Sequence, residues 1–255
     1  MKIAVCIKQV VTREWQLRVN DQNTWIRDQD ASFELNEPDA YALEEALRLK
    51  ERHGGEVIVC SAGPARVAQV IREALARGAD RAVHVESDGL ATADADAVAA
   101  ALAVALRDER VDLVLTGLQS DDQGFGQVGV VLAERLGFPH ATIIMEVDAS
   151  GDGLRVKREL EGGWFQWIRL PRPALLTIQS GINQLRYATL KGIMAAKKKE
   201  IRKVAAPPAP PATQRIVTLA FPEKGKQTQM IPGSAAQAAQ TLVTRLREEA
   251  RVLPS

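Results

Sequence analysis

Short, continuously apolar runs alternate with amphipathic stretches through the first half of the chain, and that alternation leaves few folds open. The runs lie at residues 3–7, 56–61, 82–86, 112–117 and 141–147. They are apolar at every position rather than at every second one, as a strand is when both of its faces are covered. Between them the spacing predicts helices over 38–52, 64–77, 94–107 and 126–136. In the first, Ala42, Leu43, Ala46 and Leu47 form one stripe, with Asn36 placed as its N-cap. Strand–helix repetition of this kind implies a parallel sheet, right-handed crossovers and helices on both faces: a doubly wound α/β fold.

The pattern changes after Val147. Residues 154–160 and 165–170 flank Glu161–Gly162–Gly163 and read as an antiparallel hairpin appended to a mostly parallel sheet, and 173–179 reads as one more strand. A Pro/Ala stretch at 205–212 is an extended, semi-rigid linker. Three parts follow: an α/β domain over 1–204, the linker, and a C-terminal segment over 213–255. That segment holds a strand at 215–221 and a helix at 234–251, too little to bury a core alone, so it must dock on the main domain or on a partner.

Composition narrows the function classes. Lys+Arg 33 against Asp+Glu 32 leaves a net charge of +1, which gives no electrostatic case for nucleic acid or an anionic membrane. No stretch approaches the length of a membrane-spanning helix, and the N-terminal apolar run, cut short by Lys8, is too short for a signal peptide. The expectation is a cytoplasmic protein. Cys6 and Cys60 sit inside apolar runs and read as reduced, buried thiols. His53, His84 and His140 are scattered without metal-ligand spacing, and no Ser-His-Asp arrangement or nucleophile elbow is present.

Two segments can carry function. From Asp112 to Gly137 a buried strand ends at Thr116–Gly117, a polar glycine-containing loop follows, and a helix begins near Gly126. Loop N–H groups and a helix N-terminus then converge at the carboxyl end of a strand, which favours a phosphate; Gly124 and Gly126 let it approach the backbone. An ordinary loop of turn formers fits the same residues. Gly124 to Gly129 also matches GxGxxG, with Glu146 after it, which keeps an NAD-binding domain as an alternative. Against it, six residues separate Gly117 from Gly124, whereas the dinucleotide fingerprint follows its strand directly. A nucleotide-sensing stress-type protein shares the same fold theme. Asp121 and Asp122 are adjacent and face opposite ways if the loop is extended. The second segment, 181–203, interleaves Leu185, Tyr187, Leu190, Ile193 and Met194 with Arg186, Lys191, Lys197, Lys198 and Lys199. It reads either as a docking surface or as a solvated basic helix end with core anchors.

This second segment carries a resemblance. Val156-Lys-Arg-Glu159, Gly162–Gly163, Leu170–Pro171, Thr177, Ile182–Asn183, Arg186-Tyr-Ala-Thr-Leu190, Ile193–Met194 and Ala196-Lys-Lys-Lys199 together resemble the signature of electron-transfer flavoprotein β subunits. Lys8–Gln9–Val10, the run from Asn36 through Glu51, Ser61 to Pro64, Gly78 to Arg81 and Gly117 to Gly129 fall in family order as well, so the likeness covers about residues 1–204.

The resemblance implies an electron carrier rather than an enzyme. It implies a heterodimer with a larger α subunit that holds the redox FAD, serving dehydrogenases and a quinone oxidoreductase or another acceptor, with no membrane insertion of its own. The C-terminal tail then lies on that partner. The β subunit carries AMP, or a second FAD in bifurcating relatives; AMP is the expectation here. By position, the nucleotide site takes Cys6, Asn36, Glu37, Pro38, Asp39, Ala62, Gly117, Gln119, Asp122, Gln123, Gly124, Phe125, Gly126, Gln127 and Val128. Partner recognition falls to Arg186, Tyr187, Leu190, Ile193, Met194 and Lys197, with Leu190 as the apolar anchor on a loop held by Tyr187 and Met194.

Overall fold

The computed structural model of the chain describes residues 1–222 and 228–253. Its strands are β1 (Lys2–Cys6), β2 (Gln9–Val11), β3 (Phe33–Leu35), β4 (Glu56–Gly63), β5 (Arg81–Glu86), β6 (Leu113–Gly117), β7 (His140–Asp148), β8 (Leu154–Glu159), β9 (Phe165–Leu170), β10 (Ala174–Ile178) and β11 (Ile201–Ala205). Its helices are α1 (Glu37–His53), α2 (Ala68–Arg77), α3 (Ala95–Arg107), α4 (Val128–Leu136), α5 (Leu190–Ala196) and α6 (Ala235–Glu248). Nine strands form one sheet in the order β11-β5-β4-β1-β6-β10-β7-β8-β9, and β2 and β3 pair as a separate antiparallel ribbon. The sheet is parallel from β11 to β7; the pairings of β7 with β8 and of β8 with β9 are antiparallel. The expected doubly wound sheet with an antiparallel appendage is therefore observed.

The unbroken apolar character of the strands has a direct cause. Ile3 and Val5 of β1 pack with Leu43, Ala46 and Leu47 of α1 and Val70, Ile71 and Leu75 of α2. The alternate residues, Ala4 and Cys6, pack on the other face with Leu102, Ala105 and Leu106 of α3 and Leu132 of α4. The strands β1, β4, β5, β6 and β10 thus contribute to both cores, which leaves few of their positions free to be polar. The chain leaves β1 toward β4 and β5 on one side and returns to β6 on the other. The point where the winding reverses, between the carboxyl ends of β1 and β6, is where open α/β sheets form a crevice.

The remaining segments differ from the sequence reading in four places. The strand β11 is an addition; its Arg202 and Lys203 mask an edge strand in which Ile201 and Val204 provide the packing. The basic segment, expected to be a loop, contains the short helix α5. The ribbon of β2 and β3 was not legible, because three-residue strands give no periodic signal. Residues 215–221 form no strand: Val217 and Phe221 are exposed and join no ladder.

The chain divides into two compact units, Met1–Thr218 and Leu219–Ser255. Within the first, the Pro/Ala stretch does not run free to its end. Asp94 caps α3 by accepting from the Ala97 N–H, and its other oxygen accepts from the Thr213 N–H, the Thr213 hydroxyl and the Gln214 N–H. In the second, α6 begins with a capping box between Ser234 and Gln237 and has no buried residue. Among the described residues, no helix is long and apolar enough to cross a membrane, and no group of His, Cys, Asp and Glu is arranged for a metal ion.

Candidate functional site

At the winding reversal lies a cleft of about 870 Å³, counting the open space at its mouth. Its floor is the carboxyl end of β1 and β6, where Cys6, Thr116 and Gly117 stand beside the first turn of α1. Asp39, in that first turn, is buried and joins the two strand ends. One carboxylate oxygen accepts from the Gly117 N–H at 2.9 Å and the other from the Lys8 N–H at 2.8 Å. Burial pushes its pKa up to about 7, against the pull of these N–H groups and the Asn36 side chain.

Asn36 was expected to cap α1 with its side chain, and it does not. Its amide reaches across to the loop after β6 instead, accepting from the Asp121 N–H at 2.9 Å and donating to the Gln119 carbonyl at 3.0 Å. Lys8 secures the same loop from the other side. Its ammonium donates to Asp122 at 2.7 Å, Gln123 at 3.0 Å and Ser120 at 3.3 Å. Asp121 turns the opposite way, toward Arg13 and the Glu37 N–H. The two adjacent aspartates are therefore separate ion partners and not an acid–base pair.

The loop then passes through Gly124 and Gly126, both at positive φ (66° and 63°), a backbone that L side chains seldom adopt. This turns the chain into α4. Among the described residues, no acceptor meets the N–H groups of Phe125, Gly126 and Gln127, and the first turn of α4 adds the unpaired donors of any helix start. These donors, with the Lys8 ammonium beside them, are suited to an anion such as a phosphate. The opposite wall is apolar and made of small or slim side chains, Leu90, Ala91, Ala93, Val98 and Leu102. A ligand that fits both walls has an anionic end and an apolar end.

Of the residues expected at a nucleotide site, the structure brings Cys6, Asn36, Asp39, Ala62, Gly117 and Gln119 to the cleft, together with Gln123, Phe125, Gly126, Gln127 and Val128. Four others support it from behind. Glu37 pairs with Arg13, Pro38 sits in the first turn of α1, Asp122 holds Lys8, and Gly124 donates its N–H to Ser120 at 2.9 Å to close the turn. Lys8 and the wall from Leu90 to Val98 also line the cleft and are not among the residues that the resemblance implies. The wall had no signal beyond a run of small residues; Lys8, a lysine ending a buried strand, was a signal that could have been used. Burial raises the pKa of the Cys6 thiol and pushes that of Cys60 up to about 12, which disfavours their thiolates.

The expected recognition residues lie elsewhere on the surface. Tyr187, Leu190 and Met194 are 91%, 84% and 62% exposed, and Ile193 and Lys197 are exposed as well. Tyr187 and Met194 therefore do not hold the segment, because neither is packed. The Arg186 guanidinium is engaged by Glu44 and Glu51 of α1.

The chain is similar to proteins of one family. A family model described as "Electron transfer flavoprotein domain" matches residues 24–209. The electron transfer flavoprotein subunit beta of Methylophilus methylotrophus is 36% identical over 261 residues, covering 97% of this chain and 98% of that protein. The human protein of the same name is 35% identical over 258 residues, 99% of each chain. That of Bacillus subtilis is 33% identical over 261 residues, 99% of this chain and 100% of its own. The chain therefore belongs to the β subunit family of the electron transfer flavoproteins.

Proposed function

We propose that the chain is the β subunit of a heterodimeric electron carrier and that its cleft holds AMP. The observation that carries this reading is the junction of β1, β6 and α1: unpaired N–H groups of residues 125–127 and the Lys8 ammonium face a slim apolar wall at the winding reversal. The nucleotide phosphate is held by the N–H groups of residues 125–127, with the Lys8 ammonium, itself bonded to Asp122, Gln123 and Ser120, beside them, and the base lies along Leu90 to Val98. In this reading the nucleotide's role is structural. The redox flavin belongs to the larger α subunit, and this chain contributes the surface against which it is held. FAD, when bound there, supplies the electron-accepting and electron-donating group.

A permanent partner is supported by apolar exposure on the appended hairpin. Phe165 and Trp167 of β9 are exposed, with Lys157 and Arg155 of β8 stacked over their rings at 4.2 and 4.0 Å. Such a patch is normally covered by another protein. The segment carrying Leu190 is the docking surface for dehydrogenases, while a quinone oxidoreductase or another acceptor takes the electrons onward. We place the complex in the cytoplasm.

A second FAD in place of AMP is the other reading, favoured by Gln127–Val128–Gly129 and Lys8–Gln9–Val10, which resemble the bifurcating branch. One experiment separates them. The chain is co-expressed with its α-type partner, the yellow heterodimer is denatured, and the supernatant is chromatographed. One FAD and one AMP per dimer is the expected result. Two FAD assign bifurcation; NAD without flavin, or a colourless homodimer, overturns the reading.

A further inference from the structure

Tyr187, Leu190 and Met194 stand in solvent, yet the backbone that carries them is tied to the body at both ends. At the leading end, the Arg186 guanidinium donates to both oxygens of Glu44, at 2.7 and 3.1 Å, and to both oxygens of Glu51, at 2.6 and 3.2 Å. Glu44 is itself buried, so this is a fixed fork rather than a mobile surface pair. Arg48 adds a bond to the Gln184 carbonyl at 2.9 Å, and the Asn183 amide bonds the Tyr41 carbonyl at 3.2 Å.

At the trailing end, α5 sits directly on α2. Ala196 is buried, and a methyl group on Gly192 would run into the Ala76 carbonyl oxygen. Arg72 of α2 donates to the carbonyls of Ala196 and Lys199 at 2.6 and 2.7 Å, and Lys199 donates in return to the carbonyls of Leu75 and Ala79 at 3.0 and 2.6 Å. The Thr189 hydroxyl caps α5 by accepting from the Gly192 N–H at 3.0 Å.

We propose that residues 183–199 form a preformed docking platform, with Arg186 and Gly192 as its positioning residues: neither touches the redox partner, and together they hold Leu190 and Met194 in the conformation a partner binds. This rests on the docking reading given above and adds to it. Because the segment is already ordered, association does not have to freeze it, and the apolar side chains act at full strength. The partner that fits is a protein with an apolar pocket and an acidic rim facing Lys191, Lys197 and Lys198, all exposed.

The test uses the heterodimer carrying Arg186→Gln, Arg186→Lys, Gly192→Ala or Leu190→Ala. Backbone hydrogen exchange over 182–199 is measured, with the KM and kcat for a reduced flavoprotein dehydrogenase that serves the wild-type complex. Reduction by dithionite, which needs no docking, is the control. Arg186→Gln and Gly192→Ala are expected to speed exchange in this segment alone and to raise KM about 3- to 10-fold, with kcat and dithionite reduction unchanged. Arg186→Lys, which keeps the charge and loses the fork, is expected to fall between. Leu190→Ala is expected to raise KM with wild-type exchange.

If Leu190→Ala leaves KM unchanged, the docking reading itself fails. If Leu190→Ala raises KM while Arg186→Gln and Gly192→Ala keep wild-type exchange and KM, docking stands and the platform is overturned. Exchange that rises throughout the chain, with loss of flavin, also overturns it, by making the fork a general stabiliser. Should Arg186→Gln not fold, Gly192→Ala decides.

Discussion

At the scale of single residues, the cleft depends on three polar side chains that link segments far apart in sequence. Asn36 and Lys8 hold the loop after β6 from two sides, and Asp39 joins the ends of β1 and β6 beneath it. Asp39 has a thermodynamic signature. Its pKa is raised by burial from 3.8 to about 7. The folded chain therefore holds a proton that the unfolded chain has released across that window, and stability falls as pH rises from about 3.8 to about 7. The limiting slope from this one group is about 1.4 kcal/mol per pH unit. Asp39→Asn should remove that slope; denaturant unfolding of both proteins at pH 4, 5.5 and 7 checks it, and parallel curves would refute the assignment.

At the scale of elements, the amino end of the sheet is closed by a charge cluster that has no part in the cleft. Glu109, buried in the turn between α3 and β6, accepts from Arg81 of β5 at 2.5 Å and from Arg202 of β11 at 2.7 Å, and Arg81 also reaches Glu56 of β4 at 2.7 Å. One carboxylate thus ties the late edge strand β11 to the turn beside β6. The hydrogen bond from Arg81 leads the lowering of its pKa from 4.5 to about 2. A carboxylate held low stabilises the fold above its unfolded pKa, and that contribution is lost as pH falls from about 4.5 through about 2. Glu109→Gln should cost about 2–3 kcal/mol at pH 7, the difference closing toward pH 2. A pH-independent difference between the two proteins would mean that packing, and not charge, is what the substitution disturbs.

At the scale of the whole molecule, the body has a core on each face of its sheet and needs nothing beyond Thr218 to complete either. The second unit is different. Its helix α6 has no buried residue and exposes Leu242 and Val243. An amphipathic helix that exposes Leu242 and Val243 is suited to a partner, and we propose that this partner is the α subunit. A chain ending at Thr218 should unfold cooperatively within about 3 °C of the full-length chain, because its cores are intact. It should fail to co-purify with the α subunit on gel filtration. Full-affinity pairing by the shortened chain would overturn the assignment of the tail, and unfolding would overturn the division into units.

The sequence by itself determined the layering, the parallel sheet and the loop after β6, because each is written in local signals: apolar runs of strand length, helical stripes, and glycines between a buried strand and a helix. It also carried the family resemblance. The tertiary structure alone decided which strands are neighbours, and therefore that the cleft opens between β1 and β6. It also decided the use of the polar side chains. Asn36 resembles a helix cap from its neighbours and instead bonds residues 83 and 85 positions away, while Arg186, inside a basic segment, grips a glutamate 142 positions earlier. Periodicity reports the environment within a few residues of a position. A hydrogen bond between distant segments leaves no periodic trace, so its partners become visible only when the sheet brings them together.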